Sequence, residues 1–438
     1  MVQNCLEVNQ LASERDTRDL FEIRCPVHGF IRLNDWEKDI ISQNAFQRLR
    51  RIRQLAWTDY VYPGGMHTRF EHSLGVMHIA TMLYDAIVRN SRDVLETELG
   101  YNEAGFKRYR QLVRIAALLH DVGHGPFSHA GEDLLPVNGK TDERYRHEDY
   151  SAAIVRTHLR SAIEDHPACN NYGFTADDVA ALIEGTAGAK QGIFWRDVIS
   201  GQMDADRMDY LLRDSHHIGV AYGKFDLHRL VSSVGAIPGT DEESARLGIS
   251  KGGWHAAEAL VLARYFMFTQ VYFHKTRVAY DIHLRGALRE ILPGGKFPKP
   301  EGSELAEFMK WDDWRVLGCL SDGGGSEHGD RLRARNHYRC IHATGEVCTE
   351  GDLANLERIR AELGPVLVAE ESASKNWYKT GKADIPVFGE GRDKTVAPLS
   401  SYSSVIANMK SNSQVRLYVK PEDVAAANDA VGKALERK

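Results

Sequence analysis

Residues 112–129 read LVRIAALLHDVGHGPFSH, and how this stretch folds decides the architecture. Leu112, Ile115, Ala116 and Leu119 recur at helical spacing, so the run up to His120 is the buried stripe of a helix. Gly123 and Gly125 then stop that helix and let backbone pass close to the His120–Asp121 pair. An adjacent His–Asp pair is by itself a common accident, but two other segments give it weight. In HTRFEHSLGV (67–76), His72 is followed by Val76, Ile79, Ala80 and Leu83 at i+4, i+7, i+8 and i+11, which puts its imidazole on the apolar stripe of a second helix. In QMDADRMDYLLRD (202–214), Asp206 shares a helix face with Tyr210 and Asp214.

His72, His120, Asp121 and Asp206 make a mixed nitrogen and oxygen set. It suits one or two divalent ions of the Fe, Mn, Zn, Ni or Mg kind. Taken singly, His72 would more often be a satisfied core histidine. Asp204 and Asp209 read as an exposed acidic stripe. An ion at this set polarises phosphate oxygens and lowers the pKa of a bound water toward ~7, so no nucleophilic side chain is needed. Arg69, one turn before His72 on the same face, can reach a phosphate there. His129 offers a second donor. His124 and His147, the latter beside Glu148 in RHEDYS, are candidates for proton transfer near neutrality. The plain alternative for His147 is a surface histidine.

The chain has 438 residues, 43% of them hydrophobic and 26% charged, with a formal net charge of −6. That is ample for a large core plus an appendage, and it argues against a protein built to coat nucleic acid. No apolar run reaches the ~18–20 residues of a membrane span. MVQNCLEVNQLASERD lacks a basic-then-apolar signal pattern. The six cysteines include no CxxC pair. Free thiols and a cytoplasmic setting are therefore expected. Cys340, His342 and Cys348 lack paired-ligand spacing for zinc.

Helical spacing dominates from Phe46 to Phe273, and strand-like alternation is rare there. Glycine and proline cluster at 292–302 and 321–329, marking loops or a linker. VRLYVK (415–420) reads as a strand, and PEDVAAANDAVGKALERK as a terminal helix with Pro421 in its first turn. The expected fold is mainly α: an N-terminal segment (1–45) with regulatory or oligomer contacts, a helical catalytic bundle (46–290), and a small α+β appendage (291–438).

YPGGMHTRFEHSLGVMHIA (62–80), LLHDVGHGPFSH (118–129), RHEDYS (146–151) and DADRMDYLLRDSHHIGV (204–220) resemble the HD-domain deoxynucleoside triphosphate triphosphohydrolases. The branch most resembled includes the vertebrate enzyme with an appended sterile-alpha-motif domain, a module not expected ahead of the HD core here. Similarity begins at CPVHGFIRL (25–33), runs through QRLRRIRQL (47–55), is strong to about residue 230, and echoes at VRLYVKPED (415–423).

The resemblance implies an HD-domain helical bundle with His72, His120, Asp121 and Asp206 as metal ligands. It implies His147 as general acid, supported by His124 and Glu132. Gln54 and Leu55 would touch the deoxyribose, and Tyr210 and Asp214 would pack against the sugar and hold its 3′-hydroxyl. Arg207, with His274 and Lys275 in MFTQVYFHKT (267–276), would add phosphate contacts. Gln47 and Arg50, in the arginine-rich stretch Arg48–Arg53, match a regulatory nucleotide site at a subunit interface. A solvated basic face is the plain reading of that stretch. Ser42 and Cys25 stand where that branch has aspartates, so guanine-specific activation is not implied. The implied activity is hydrolysis of a dNTP to deoxynucleoside and inorganic triphosphate by a homo-oligomer that a second dNTP activates. Its setting is pool control or nucleotide depletion against phage. Alternatives on the same ligands are an HD-type nuclease or nucleotide phosphatase, or a dNTP sensor signalling to a partner protein. No membrane contact is expected, and nucleic acid is not the favoured substrate.

Overall fold

The computed structural model describes residues 20–186, 193–239, 245–373, 378–379, 381–389 and 395–436. Residues 1–19 of the expected N-terminal segment lie outside them. The described part of that segment opens with a hairpin the apolar pattern did not announce. Strand β1 (Phe21–Cys25) pairs antiparallel with β2 (Gly29–Leu33), and Gly29 takes the left-handed conformation (φ +77°) that closes the turn. Asn34 then caps helix α1 (Asp35–Ile41) in a reciprocal box with Glu37. The Glu37 carboxylate is fully buried and takes two bonds from Arg114 (both 2.6 Å) and one from Gln111 (2.9 Å).

The catalytic-sized body is helical. Helix α2 (Arg69–Leu99) starts at a Thr68–Glu71 capping box and ends at Gly100 in the left-handed region. Helix α3 (Glu103–Leu119) packs along it, and Leu112, Ile115, Ala116 and Leu119 are all buried. Each fully buried Leu or Ile contributes about 1.5–3 kcal/mol. Helices α4 (His147–Thr157), α5 (Ala176–Glu184) and α6 (Ala205–Ile218) complete the group around the His–Asp pair. A second unannounced hairpin follows: β3 (Val234–Ile237) pairs with β4 (Arg246–Ser250). Helix α7 (Trp254–Met267) widens into a π-turn at Phe268–Tyr272 before α8 (Lys275–Ile291).

Beyond α8 the main core continues through Phe297, Phe308, Trp311 and Leu332. The glycine-rich run 321–329 holds a tight turn at 322–325, between helices Asp313–Ser321 and Ser326–Arg333. Strand β5 (Arg339–Ala343), helix α9 (Glu350–Leu363) and strand β6 (Leu367–Ser372) belong to a separate α+β unit. Short strands β7 (Pro386–Phe388) and β8 (Val396–Pro398) extend the β3–β4 hairpin into a four-stranded sheet ordered β3-β4-β7-β8. The expected strand near the C-terminus is β9 (Val415–Val419). It sits between β5 and β6, and the expected terminal helix is α10 (Val424–Glu436). Leu356, Ile359, Leu363, Leu417, Val419, Ala427 and Ala434 form this unit's own apolar cluster. No helix among the described residues is long and apolar enough to cross a membrane.

Candidate active site

Helix α2 delivers His72, the end of α3 delivers His120 and Asp121, and the first turn of α6 delivers Asp206. His72 Nε2 lies 3.1 Å from Asp206 Oδ1 and 3.4 Å from Asp121 Oδ2. His120 Nε2 lies 3.2 Å from Asp121 Oδ1 and 3.8 Å from Asp206 Oδ1. Both imidazole Nε2 atoms are buried and have no hydrogen-bond partner. Their other nitrogens are spoken for: His72 Nδ1 meets Asp209 Oδ2 at 2.8 Å, and His120 Nδ1 meets the Ala117 carbonyl at 2.8 Å. Donation from Nδ1 leaves each Nε2 lone pair aimed at the shared carboxylates, which is how ligating histidines are oriented. This donor set fits a divalent ion.

Asp209 corrects the sequence reading, which put it on an exposed stripe. It is fully buried and gathers His28 (2.6 Å), His72 (2.8 Å) and the Nε and Nη2 donors of the Arg213 guanidinium (2.8 and 2.9 Å). Burial works against its charge, but the Arg213 charge and these bonds hold it well below the usual carboxylate range. A glycine makes room for it: a Cβ on Gly75 would sit 1.9 Å from Asp209 Oδ1. Asp204 is buried too. It caps α6 at the Arg207 N–H (2.7 Å) and pairs with the Arg207 side chain.

A second group stands beside the first. His124, His129, Glu132 and His147 bring their ligand-capable atoms together. His124 and His147 stack with centroids 3.9 Å apart. Glu132 meets His147 Nδ1 at 2.7 Å and His129 Nδ1 at 2.9 Å. Burial would lower the His147 pKa, but the Glu132 carboxylate overrides it and raises the pKa to about 9. His147 Nε2 faces Asp121 Oδ1 at 3.8 Å. His124 goes the other way: burial, with the Arg69 charge nearby, keeps it neutral. His147 reaches this place because Gly123 permits it. A Cβ there would lie 2.2 Å from Ser151 N and 2.5 Å from the His147 carbonyl. Gly125, by contrast, would seat a Cβ at ordinary contact distances.

Arg69 Nη1 donates to Asp121 Oδ2 at 2.5 Å, and burial of Asp121 is outweighed by that charge, which holds its carboxyl well below the usual range. Tyr210 is half-buried, with Tyr272 edge-on at 6.0 Å. Asp214 accepts from Tyr272 Oη (2.6 Å) and His67 Nε2 (2.7 Å). Tyr272 sits on the π-turn, a feature often found at functional sites, and no sequence signal singled it out. Gln54 and Leu55 are buried, and the Gln54 Oε1 has no partner.

Other expected residues sit elsewhere. His274 caps α8 and faces Tyr62, while Lys275 is exposed and its carbonyl accepts from Tyr418. Gln47 Oε1 accepts from Arg50 Nε (2.9 Å), whose guanidinium lies 3.5 Å over Phe70. The Arg48–Arg53 stretch is not a solvated basic face, because Arg48 is buried and Arg51 and Arg53 are ion-paired. The Cys340 thiol meets the His342 carbonyl, the Cys348 thiol meets the Ser413 carbonyl and the Thr344 hydroxyl, and none of Cys340, His342 and Cys348 joins either metal-capable group among the described residues.

Residues 69–214 match the HD domain, and residues 225–373 match an HD-associated region. The chain therefore carries an HD domain followed by an HD-associated region, as the sequence resemblance indicated. It is 37% identical over 299 residues to an uncharacterized protein of Methanocaldococcus jannaschii, covering 68% of this chain and 54% of that one. It is 34% identical over 270 residues to the deoxynucleoside triphosphate triphosphohydrolase SAMHD1 homolog of Dictyostelium discoideum, covering 60% of this chain and 48% of that one. The chain thus spans about half the length of these curated relatives. A crystal structure of a phosphohydrolase from Bacteroides thetaiotaomicron superposes with a TM-score of 0.68 at 26% identity, covering 92% of this chain and all of that one.

Proposed function

We propose that this protein is a metal-dependent dNTP triphosphohydrolase that converts a dNTP to deoxynucleoside and inorganic triphosphate. The observation that carries the reading is the pair of buried, unpartnered Nε2 atoms of His72 and His120 facing Asp121 and Asp206, with Arg69 and the Glu132-paired His147 alongside. Bound among these four residues, a divalent ion supplies Lewis-acid polarisation of phosphate oxygens and an acidified water. Arg69 holds a phosphate oxygen by charge-assisted hydrogen bonds. His147, kept protonated by Glu132, gives its Nε2 proton to the 5′-oxygen as the bond from that oxygen to the α-phosphorus breaks. Neutral His124 stacks on His147 and holds its ring plane. Tyr210 takes the sugar face, rejecting a 2′-hydroxyl by lack of space, and Asp214 accepts from the 3′-hydroxyl. Gln54 and Leu55 close the sugar side, while Arg207 and His129 meet the outer phosphates.

The same proposal includes a second nucleotide at Gln47 and Arg50 of a homo-oligomer. Arg50 is exposed. Ser42, bonded to the Lys38 carbonyl, offers no carboxylate to a guanine, so activation does not require guanine. The test is incubation of the metal-loaded protein with each dNTP, singly and mixed, with chromatography of the products and light scattering. Deoxynucleoside plus tripolyphosphate supports the reading. Nucleoside monophosphate plus pyrophosphate, or no turnover of any dNTP, refutes it.

A further inference from the structure

The arginine-rich stretch has a second use. Buried Arg48 donates from Nε (3.1 Å) and Nη2 (2.7 Å) to the Trp311 carbonyl. Arg51 Nε meets Asp312 Oδ2 at 2.5 Å, and the Arg53 backbone N–H donates to Asp313 Oδ2 at 2.9 Å. All three partners lie at the start of one helix, Asp313–Ser321, in the HD-associated region. Asp312 caps that helix at the Arg315 N–H. Asp313 takes no part in that cap: its other oxygen accepts the Phe127 N–H at 2.7 Å. One buried carboxylate thus joins two segments remote from it in sequence.

The segment it holds is strained. Phe127 and Ser128 have φ of +58° and +56°, the left-handed region that side chains other than glycine rarely adopt. Strain of this kind persists only where the surroundings over-determine it. Its effect here is on Ser128, whose hydroxyl donates to the Arg53 carbonyl (2.7 Å) and accepts from Arg69 Nε (2.9 Å). The same guanidinium reaches Asp121 through Nη1. A chain of short contacts therefore runs from Asp313 through Phe127, Ser128 and Arg53 to Arg69. Burial pushes the Asp313 carboxyl up to about 7 against its amide partners, so this acid is held at a cost that packing alone does not require.

We propose that Asp313 is a positioning residue: through the strained Phe127–Ser128 turn and Arg53 it aims the Arg69 guanidinium at a substrate phosphate. This rests on the reading of Arg69 as a phosphate donor.

The probe is inorganic tripolyphosphate, titrated calorimetrically into the metal-loaded full chain. Asp313→Asn leaves one accepting oxygen for two amide donors, and Ser128→Ala cuts the next link. Each should weaken tripolyphosphate about 10–100-fold, the worth of a hydrogen bond to a charged group, with bound metal unchanged. The double variant should bind no worse than the weaker single, because both act on one chain. With dNTP, the loss should fall on KM and kcat together. Losses that multiply would assign Asp313 a general structural role and overturn the proposal. So would Asp313→Asn binding within about twofold of wild type. If Asp313→Asn fails to fold, Ser128→Ala decides alone, and unchanged binding in it overturns the proposal. Absence of tripolyphosphate binding to the wild type overturns it outright. Intact coupling without turnover of any dNTP would refute the triphosphohydrolase reading and leave the role of Asp313 standing.

Discussion

Replacing Asp209 by asparagine separates support of the metal ligands from support of the fold. Its carboxylate accepts four bonds, two from Arg213 and one each from His28 and His72. The carboxamide retains one accepting oxygen and turns an N–H₂ toward donors. Two losses follow. His72 loses the partner that fixes Nδ1 as donor and Nε2 as lone pair. Removing such a partner weakens a metal about 10–100-fold, or about 1.4–2.7 kcal/mol. The buried Arg213 guanidinium also loses its close counter-charge, which costs about 3–5 kcal/mol. Glu71, 3.5 Å from Arg213 Nη1 and partly exposed, offsets some of that, so a loss near 3 kcal/mol is expected. Against a typical total of about 5–15 kcal/mol, the variant stays folded below room temperature. Metal affinity is read by chelator competition and stability by thermal denaturation. Asp204→Asn is the control, since Asp204 is as buried and sits on the same helix but touches Arg207 and not His72. It should lose stability and keep the metal. If Asp209→Asn binds metal as tightly as the wild type, the orienting role is wrong.

Three further outcomes are expected. Gly123→Ala should push α4 away, lower turnover and cost about 1–3 kcal/mol of stability by overpacking, as measured by kcat and Tm. His147→Gln should keep metal and nucleotide affinity but lose about 10²–10⁴ in rate. In the wild type the required proton is present below the raised pKa and lost as pH rises through about 9, an alkaline limb the variant should lack in a pH–rate profile. Glu37 is held below its ordinary pKa: burial opposes its charge, but Arg114 and the capping bonds outweigh it. Its stabilisation is therefore full above the unfolded value of about 4.3 and lost as pH falls through the lower folded one. Glu37→Gln should cost about 3–5 kcal/mol near neutrality and flatten the acid limb of Tm against pH.

The helical body and the convergence of His72, His120, Asp121 and Asp206 were legible because apolar spacing fixes which face of a helix is buried. Asp209 was not. Its i+3 offset from Asp206 looks the same on a wet face as on a dry one, and its partners His28 and Arg213 come from a hairpin and the next turn. The clue available was Gly75, a small residue in a helix one turn after His72. The plain reading of arginines 48–53 as a solvated face failed for a related reason. Their partners Trp311, Asp312 and Asp313 lie about 260 residues away in the chain, beyond any local pattern. The β1–β2 and β3–β4 hairpins escaped because their strands are four or five residues long, too short for alternation to stand out from helical spacing.

The central claim is that water attacks the α-phosphorus at a site built from His72, His120, Asp121 and Asp206. Turnover of a dNTP by the metal-loaded protein in ¹⁸O-labelled water, with products analysed by mass spectrometry, tests it directly. One labelled oxygen should appear in tripolyphosphate and none in the deoxynucleoside. Label in the nucleoside, or in pyrophosphate or orthophosphate released in place of tripolyphosphate, would contradict it.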